Sequence, residues 1–252
     1  MTTYGLIGYP LGHSFSRKFF TEKFEKERID AQYLNFEIPS IEEFPNIIKN
    51  NPELGGLNVT IPYKQQVMQY LDEISEEAKA IGAVNVVKVR KEGLTGYNSD
   101  VIGFVESIKP LLKPHHKKAL ILGTGGASKA IRYGLEKKLG LETAFVSRRK
   151  PDGSSARRTE RVFTYEEVTA DLLKEYEVIV NCSPVGMYPH VNECPTLPYE
   201  AMNENNLLYD LVYNPLETLF MKRGAAQGAT VKNGLEMLHL QAIASWEFWT
   251  TE

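Results

Sequence analysis

"ALILGTGGASKAI", residues 119–131, is the stretch that decides the fold class. The apolar run "ALILG" ends in glycine, and "SKAIRYGLEKKLG" (128–140) continues with helical spacing, so a strand turns directly into a helix. Gly123 and Gly125 fill two positions of a G-x-G-x-x-G fingerprint; Gly126 follows at once, and Ser128 stands at the third glycine position. Glycine turns between strand and helix are common, so the incomplete fingerprint says little alone. The strand "TAFVS" (143–147) completes a βαβ unit and gives the turn the context of a dinucleotide site. Glycines there let backbone N–H groups approach a pyrophosphate at the positive end of a helix.

The end of that second strand indicates which dinucleotide. A cofactor lacking a 2′-phosphate is usually held there by Asp or Glu through its ribose hydroxyls. This chain instead reads Ser147, Arg148, Arg149, Lys150. Guanidinium groups pair well with phosphate and stack on adenine, so NADP is expected over NAD. The competing reading is a solvated basic loop, which continues in Arg157, Arg158 and Arg161.

Outward from this unit, "RVFTY", "EEVTADLLKEY", "VIVNCS", "LLYDLVY", "LETLFMKRGAAQG" and "TVKN" keep strand and helix alternating, which predicts a parallel sheet over residues 101–233. The first hundred residues hold strands at 3–9, 32–38 and 56–61 and helices at 16–29 and 41–50. A hairpin pair follows at 83–90 and 94–98. Ser16 is the expected N-cap of the first helix. The last helix is expected to start at Asn233, with Glu236 closing a capping box and Leu235, Leu238, Ala242 and Trp246 as its apolar stripe. The expectation is an α/β chain of two domains: 1–100 plus 234–252, and 101–233.

Composition bounds the function. With 252 residues, 42% hydrophobic and 24% charged, the chain has material for well-buried cores. A formal net charge of −3 offers no electrostatic case for nucleic acid or an anionic membrane. Cys182 and Cys194 have neither metal-site nor disulfide spacing, so reduced thiols in a cytoplasmic protein are expected, with no metal. The N-terminus lacks the basic start and apolar run of a signal peptide. The expected form is a monomer or homodimer acting on a small molecule.

"LNVTIPYK" (57–64) carries the other motif. The two-residue period of a strand sends Leu57, Val59 and Ile61 to a core and Asn58 and Thr60 to the opposite face. Pro62 suits the first position of a helix, which would leave Lys64 in the electropositive first turn, where the dipole disfavours positive charge. Asp100 is expected as the N-cap of a helix over 101–112. Taken singly, each has an ordinary explanation: a surface lysine, a capping aspartate, the wet side of a half-buried strand.

Together with these two, five more blocks change that balance: "GYPLGHSFS" (8–16), "IGAVN" (81–85), "YNSDVIGF" (97–104), "YDLVYNP" (209–215) and "NGLEMLHLQA" (233–242). In this order, and spanning nearly the whole chain, the seven blocks resemble the signatures of the shikimate dehydrogenase family. The resemblance implies reversible NADPH-dependent reduction of 3-dehydroshikimate to shikimate, on the route to chorismate and the aromatic amino acids. It also implies an N-terminal α/β substrate domain with a mixed sheet and a C-terminal Rossmann-type NADP-binding domain. Block by block, it places Ser14 and Ser16 on the substrate carboxylate and Asn58, Thr60, Asn85, Tyr213 and Gln241 around its ring. Lys64 and Asp100 become the catalytic pair. Gly123, Thr124, Gly125, Gly126, Ala127 and Ser128 cradle the pyrophosphate, and Ser147, Arg148 and Arg149 face the 2′-phosphate. Ser183, Leu211 and Gly234 fall on the nicotinamide side. The chain departs from the family pattern at Arg17, usually proline, at Phe19-Phe20, often His-Asn, and at Ser147-Arg148-Arg149, usually Asn-Arg-Thr.

Oxidising a secondary alcohol with a nicotinamide requires a group that takes the hydroxyl proton. A lysine is a poor base at its ordinary pKa of about 10.4 unless its surroundings lower it. The expected helix dipole would act in that direction at Lys64 and a neighbouring Asp100 in the other. Two alternatives remain at this stage: a quinate/shikimate dehydrogenase using NAD or NADP, and a non-catalytic metabolite-binding regulatory protein.

Overall fold

The computed structural model describes residues 1–12, 15–149 and 161–251. His13, Ser14, Lys150, Arg157 and Arg158 lie outside the described residues. The chain divides into two compact units, Met1–Asp100 with Gln241–Glu252, and Val101–Leu240.

The first unit contains β1 (Thr2–Gly8), α1 (Phe15–Glu27), β2 (Ala31–Glu37), α2 (Phe44–Asn50), β3 (Leu54–Val59), β4 (Glu73–Ile74), α3 (Glu76–Ile81), β5 (Val86–Arg90) and β6 (Gly93–Tyr97). Its six-stranded sheet runs β2-β1-β3-β5-β6-β4. The β1 pairings with β2 and β3 are parallel, and the β3–β5 and β5–β6 pairings antiparallel, so the sheet is mixed. Except for Thr2 at its edge, β1 is buried throughout, because both faces of the sheet are covered. On one face Tyr4, Phe20, Phe24, Tyr33 and Trp249 pack together; on the other, Ile7, Phe44, Leu57, Val59, Tyr63, Val67 and Val87 do. Gly56 lets Trp249 lie against the sheet, since a Cβ there would sit 2.2 Å from the indole. The indole N–H donates to the Val87 carbonyl at 3.1 Å.

The expected helix at Pro62 does not form. Residues 61–65 make turns, a short 3₁₀ segment covers Gln66–Tyr70, and the chain then enters β4. Tertiary contacts decide this. The Lys64 carbonyl, which would have to accept from Met68 to start an α-helical ladder, accepts from Val84 N at 2.7 Å, while Met68 N donates to Gln65 O. Tyr63 is drawn into the core and its hydroxyl donates to Ile38 O at 2.6 Å. The helix dipole invoked for Lys64 is therefore absent. Because β3 ends at Val59, Ile61 also escapes the alternation and is 74% exposed, while Leu57 and Val59 are buried as expected.

The second unit continues α4 (Asp100–Ile108) and adds β7 (Lys118–Leu122), α5 (Gly126–Tyr133), β8 (Glu142–Ser147), β9 (Val162–Thr164), α6 (Ala170–Glu175), β10 (Val178–Asn181), β11 (Leu207–Asp210), α7 (Leu219–Ala225), β12 (Thr230–Lys232) and the start of α8 (Leu235–Thr250), whose residues from Gln241 onward belong to the first unit. Its sheet, β12-β11-β10-β7-β8-β9, is parallel at every pairing. Strand order reverses between β7 and β10, which makes the carboxyl ends of these strands the topological switch point of a doubly wound fold. The alternation read over residues 101–233 thus produces the expected Rossmann-type sheet.

Local boundaries differ in four places. α1 starts at Phe15, so Ser16 lies inside its first turn instead of before it. Asp100 is the first residue of α4 and not its cap, which leaves the carboxylate at the favourable end of the helix dipole. α5 starts at Gly126 and passes into a π-helical turn, Gly134–Lys138. α8 starts at Leu235, with Asn233 Oδ1 accepting from Leu235 N at 3.2 Å and Glu236 ion-paired to Lys232. Its buried face runs through Met237, Gln241, Ala242, Ser245 and Trp249, whereas Leu235, Leu238 and Trp246 are half-buried.

Candidate active site

In the first unit, the loop after β3 and the start of α4 bring two charges together. Lys64 Nζ lies 2.6 Å from Asp100 Oδ2, with the two side chains 19% and 12% exposed. The second carboxylate oxygen, Oδ1, accepts from Asn85 Nδ2 at 2.9 Å. Asn85 immediately precedes β5 and is held by its backbone: its N–H donates to Tyr97 O, and its carbonyl accepts from Val59 N. Its side-chain oxygen accepts from Ser99 N at 2.7 Å, and Nδ2 also reaches Ser99 Oγ at 3.0 Å. A carboxylate can only accept, so this arrangement fixes which way the amide points.

The network continues away from the pair. Ser99 Oγ lies 3.1 Å from Ser245 Oγ and 3.3 Å from Gln241 Oε1. Asn58 Nδ2 donates to Ser245 Oγ at 2.9 Å, and Asn58 Oδ1 accepts from the Tyr33 hydroxyl at 2.8 Å. Ser16 also hydrogen-bonds the Tyr33 hydroxyl, whose pKa burial raises. The sequence-predicted residues Ser16, Asn58, Asn85, Gln241, Lys64 and Asp100 therefore belong to one hydrogen-bonded chain, completed by Tyr33, Ser99 and Ser245. Those last three are what sequence reasoning missed. Ser99 sits inside a quoted block, and Ser245 stands one helical turn beyond Gln241; Tyr33 gives no signal in sequence. Thr60 is half-buried beyond the end of β3, and its N–H donates to Ile7 O.

In the second unit the remaining residues lie at the end of β8 and in the turns and segments that follow β7, β8, β10, β11 and β12. Gly123 has φ +99°, a conformation that favours glycine, and its N–H donates to Val146 O at 2.8 Å. A Cβ at Gly125 or Gly126 would meet nothing within 4 Å, so open space faces the amino end of α5. Thr124, Gly125 and Gly126 are exposed and Ala127 is half-buried. Ser128 turns inward, its hydroxyl donating to Gly125 O at 2.6 Å, and so braces the turn. Arg148 and Arg149 are exposed just beyond the end of β8, next to half-buried Ser147. Room beside the glycines, a helix N-terminus and two guanidiniums in place of a carboxylate suit a phosphorylated dinucleotide. Ser183 approaches Gly123 closely: a Cβ on that glycine would lie 3.5 Å from Ser183 Cβ. Gly234 backs onto Leu211, whose carbonyl oxygen would be 2.2 Å from any Cβ there. Tyr213 is 38% exposed in the loop after β11. Among the described residues no cluster of His, Cys, Asp and Glu is arranged to hold a metal ion.

A Rossmann-type sheet joined to a mixed α/β unit, with a lysine–aspartate pair in the latter, defines the class of two-domain nicotinamide-dependent oxidoreductases. The comparisons narrow this. Residues 6–87 match the model of the shikimate dehydrogenase substrate binding domain. The chain is 39% identical over 261 residues to the shikimate dehydrogenase (NADP(+)) of Caldanaerobacter subterraneus, covering 99% of this chain and 91% of that protein. It is 40% identical over 257 residues to the one from Clostridium beijerinckii, covering 99% and 92%. Among solved structures, a chorismate mutase/shikimate 5-dehydrogenase fusion protein from Clostridium acetobutylicum superimposes with TM-score 0.85 at 39% identity, covering 99% of this chain and 91% of that one. The Thermus thermophilus shikimate 5-dehydrogenase in complex with NADP(H) and shikimate gives 0.84 at 31%, covering 100% and 94%. The chain belongs to the shikimate dehydrogenase family.

Proposed function

We propose that this protein catalyses the reversible NADPH-dependent reduction of 3-dehydroshikimate to shikimate, in chorismate and aromatic amino-acid biosynthesis. The observation that carries the reading is the Lys64–Asp100 pair, braced by Asn85, in a chain of this family. Met1–Asp100 with the end of α8 serves as the substrate unit, and the parallel sheet serves as the NADP unit. No helix among the described residues is long and apolar enough to cross a membrane, and the proposed setting is the cytoplasm, as monomer or homodimer.

When bound, NADP supplies the hydride acceptor for alcohol oxidation. Everything else falls to side chains of the chain. Ser14 and Ser16 hold the substrate carboxylate, while Asn58, Thr60, Asn85, Gln241 and Tyr213 orient the ring. Ionised Asp100 accepts a hydrogen bond from the reacting hydroxyl through the lone pairs that Lys64 and Asn85 leave free. Lys64 exchanges the proton of that hydroxyl, and its contact with Asp100 keeps Nζ within reach. The glycine turn and the α5 N-terminus hold the pyrophosphate, Arg148 and Arg149 hold the 2′-phosphate, and Ser183, Leu211 and Gly234 line the nicotinamide side.

The test is an initial-rate assay of shikimate and of quinate, each with NADP⁺ and with NAD⁺, following formation of reduced nicotinamide. Shikimate with NADP⁺ should give the highest kcat/KM. Turnover only with quinate or only with NAD⁺ would contradict the reading, and no turnover with any pair would point to a binding protein.

A further inference from the structure

Asp210, the last residue of β11, is a fully buried carboxylate that the proposed chemistry does not use. Three donors converge on it. Oδ1 accepts from Asn181 Nδ2 at 2.9 Å and from Val212 N at 3.0 Å, and Oδ2 accepts from the Thr218 hydroxyl at 2.6 Å. Asn181 and Thr218 are as completely buried as Asp210.

Each donor belongs to a different piece of the switch-point edge. Asn181 ends β10 and lies beside Leu122 of β7 on one flank and Asp210 of β11 on the other. With Nδ2 committed to Asp210, Asn181 Oδ1 faces the other way and accepts from both the N–H and the hydroxyl of Ser183, at 3.1 and 2.6 Å. Ser183 is the residue that closely approaches Gly123. Val212 N belongs to the loop in which Leu211 is clamped between Asn181 O, which accepts Leu211 N at 3.0 Å, and the bare Cα of Gly234. Thr218 Oγ1 in turn accepts from Met221 N and caps α7.

We infer that Asp210 is a positioning residue of the cofactor site: through Asn181 and the Val212 amide it fixes Ser183 beside the glycine turn and Leu211 against Gly234, and so sets dinucleotide affinity without touching the dinucleotide. This rests on the reading of Gly123, Ser183 and Leu211 as cofactor-facing. Only the ionised carboxylate accepts all three bonds; an amide in its place has one acceptor oxygen and presents an NH₂ to donors. A buried ionised group is also a costly way merely to join two loops, which neutral partners would do.

The test is Asp210→Asn, with NADPH affinity measured by isothermal titration alongside the KM for shikimate. NADPH binding should weaken at least tenfold while the shikimate KM stays within twofold. A folded variant that binds NADPH within twofold of normal, or that loses shikimate in the same proportion, would overturn the inference. Should Asp210→Asn not fold, Thr218→Val and Thr218→Ser carry the test. The valine variant should bind NADPH several-fold more weakly and the serine variant within twofold of normal; equal affinity of the two would overturn it. A native protein that binds no NADPH would instead overturn the reading of the glycine turn beneath it.

Discussion

At Asp210 burial and hydrogen bonding pull in opposite directions, and burial prevails: the carboxyl is pushed from 3.8 up to about 6 despite its three donors. The same negative charge adds to burial in raising the pKa of the neighbouring Cys182 thiol. A carboxyl that is harder to ionise in the fold than in the unfolded chain contributes stability below about pH 4, and this contribution is lost as pH rises through about 6. The displacement corresponds to roughly 3 kcal/mol. Denaturant titrations of the native protein and Asp210→Asn should therefore differ in a pH-dependent way. The native protein's advantage should shrink between pH 4 and 6 and then level off; parallel curves would contradict the assignment. At this scale Lys64, Asp100, Asn85 and Asn58 were legible because each sits in a short block whose neighbours repeat a known pattern. Tyr33 was not. Its role depends on Ser16 and Asn58, which lie far from it along the chain, and nothing local marks a strand tyrosine as a link in a polar network.

Among the elements, periodicity carried the reading as far as packing allowed. In "LNVTIPYK" the alternation holds through Val59, where β3 ends. Beyond it, Pro62 satisfies the local rule for starting a helix, but Val84 captures the Lys64 carbonyl and Tyr63 is drawn into the core. Neither contact is visible from residues 57–64. α8 shows a milder form of this: the helix was evident, but its buried face lies beside the expected stripe because polar Gln241 and Ser245 point inward to the Ser99 network. The glycine turn is the reverse case, where local sequence was sufficient. At Gly126 a Cβ would meet no protein atom within 4 Å, so packing does not demand a glycine there. Gly126→Val should keep the melting temperature within about 2 °C while weakening NADP⁺ binding at least about tenfold. An unchanged NADP⁺ affinity measured by titration would remove the turn from the cofactor site.

For the whole molecule, the division of labour follows from sheet chemistry. A parallel sheet delivers its loops, and with them its glycines and arginines, to the carboxyl ends of its strands. The mixed sheet of the first unit instead uses an antiparallel hairpin, β5–β6, to bring Asn85, Ser99 and Asp100 beside Lys64. The α/β class and the parallel sheet were readable because alternation of strand and helix is local. The pairing of Lys64 with Asp100 was implied by the family resemblance, but their direct contact required the fold, since thirty-six positions separate them. That pair is the central claim, and Lys64→Ala tests it most directly in steady-state reduction of NADP⁺ by shikimate. The account predicts that kcat falls about 10²–10⁴-fold with the shikimate KM within about threefold of normal. A kcat within about tenfold of the native value would contradict it.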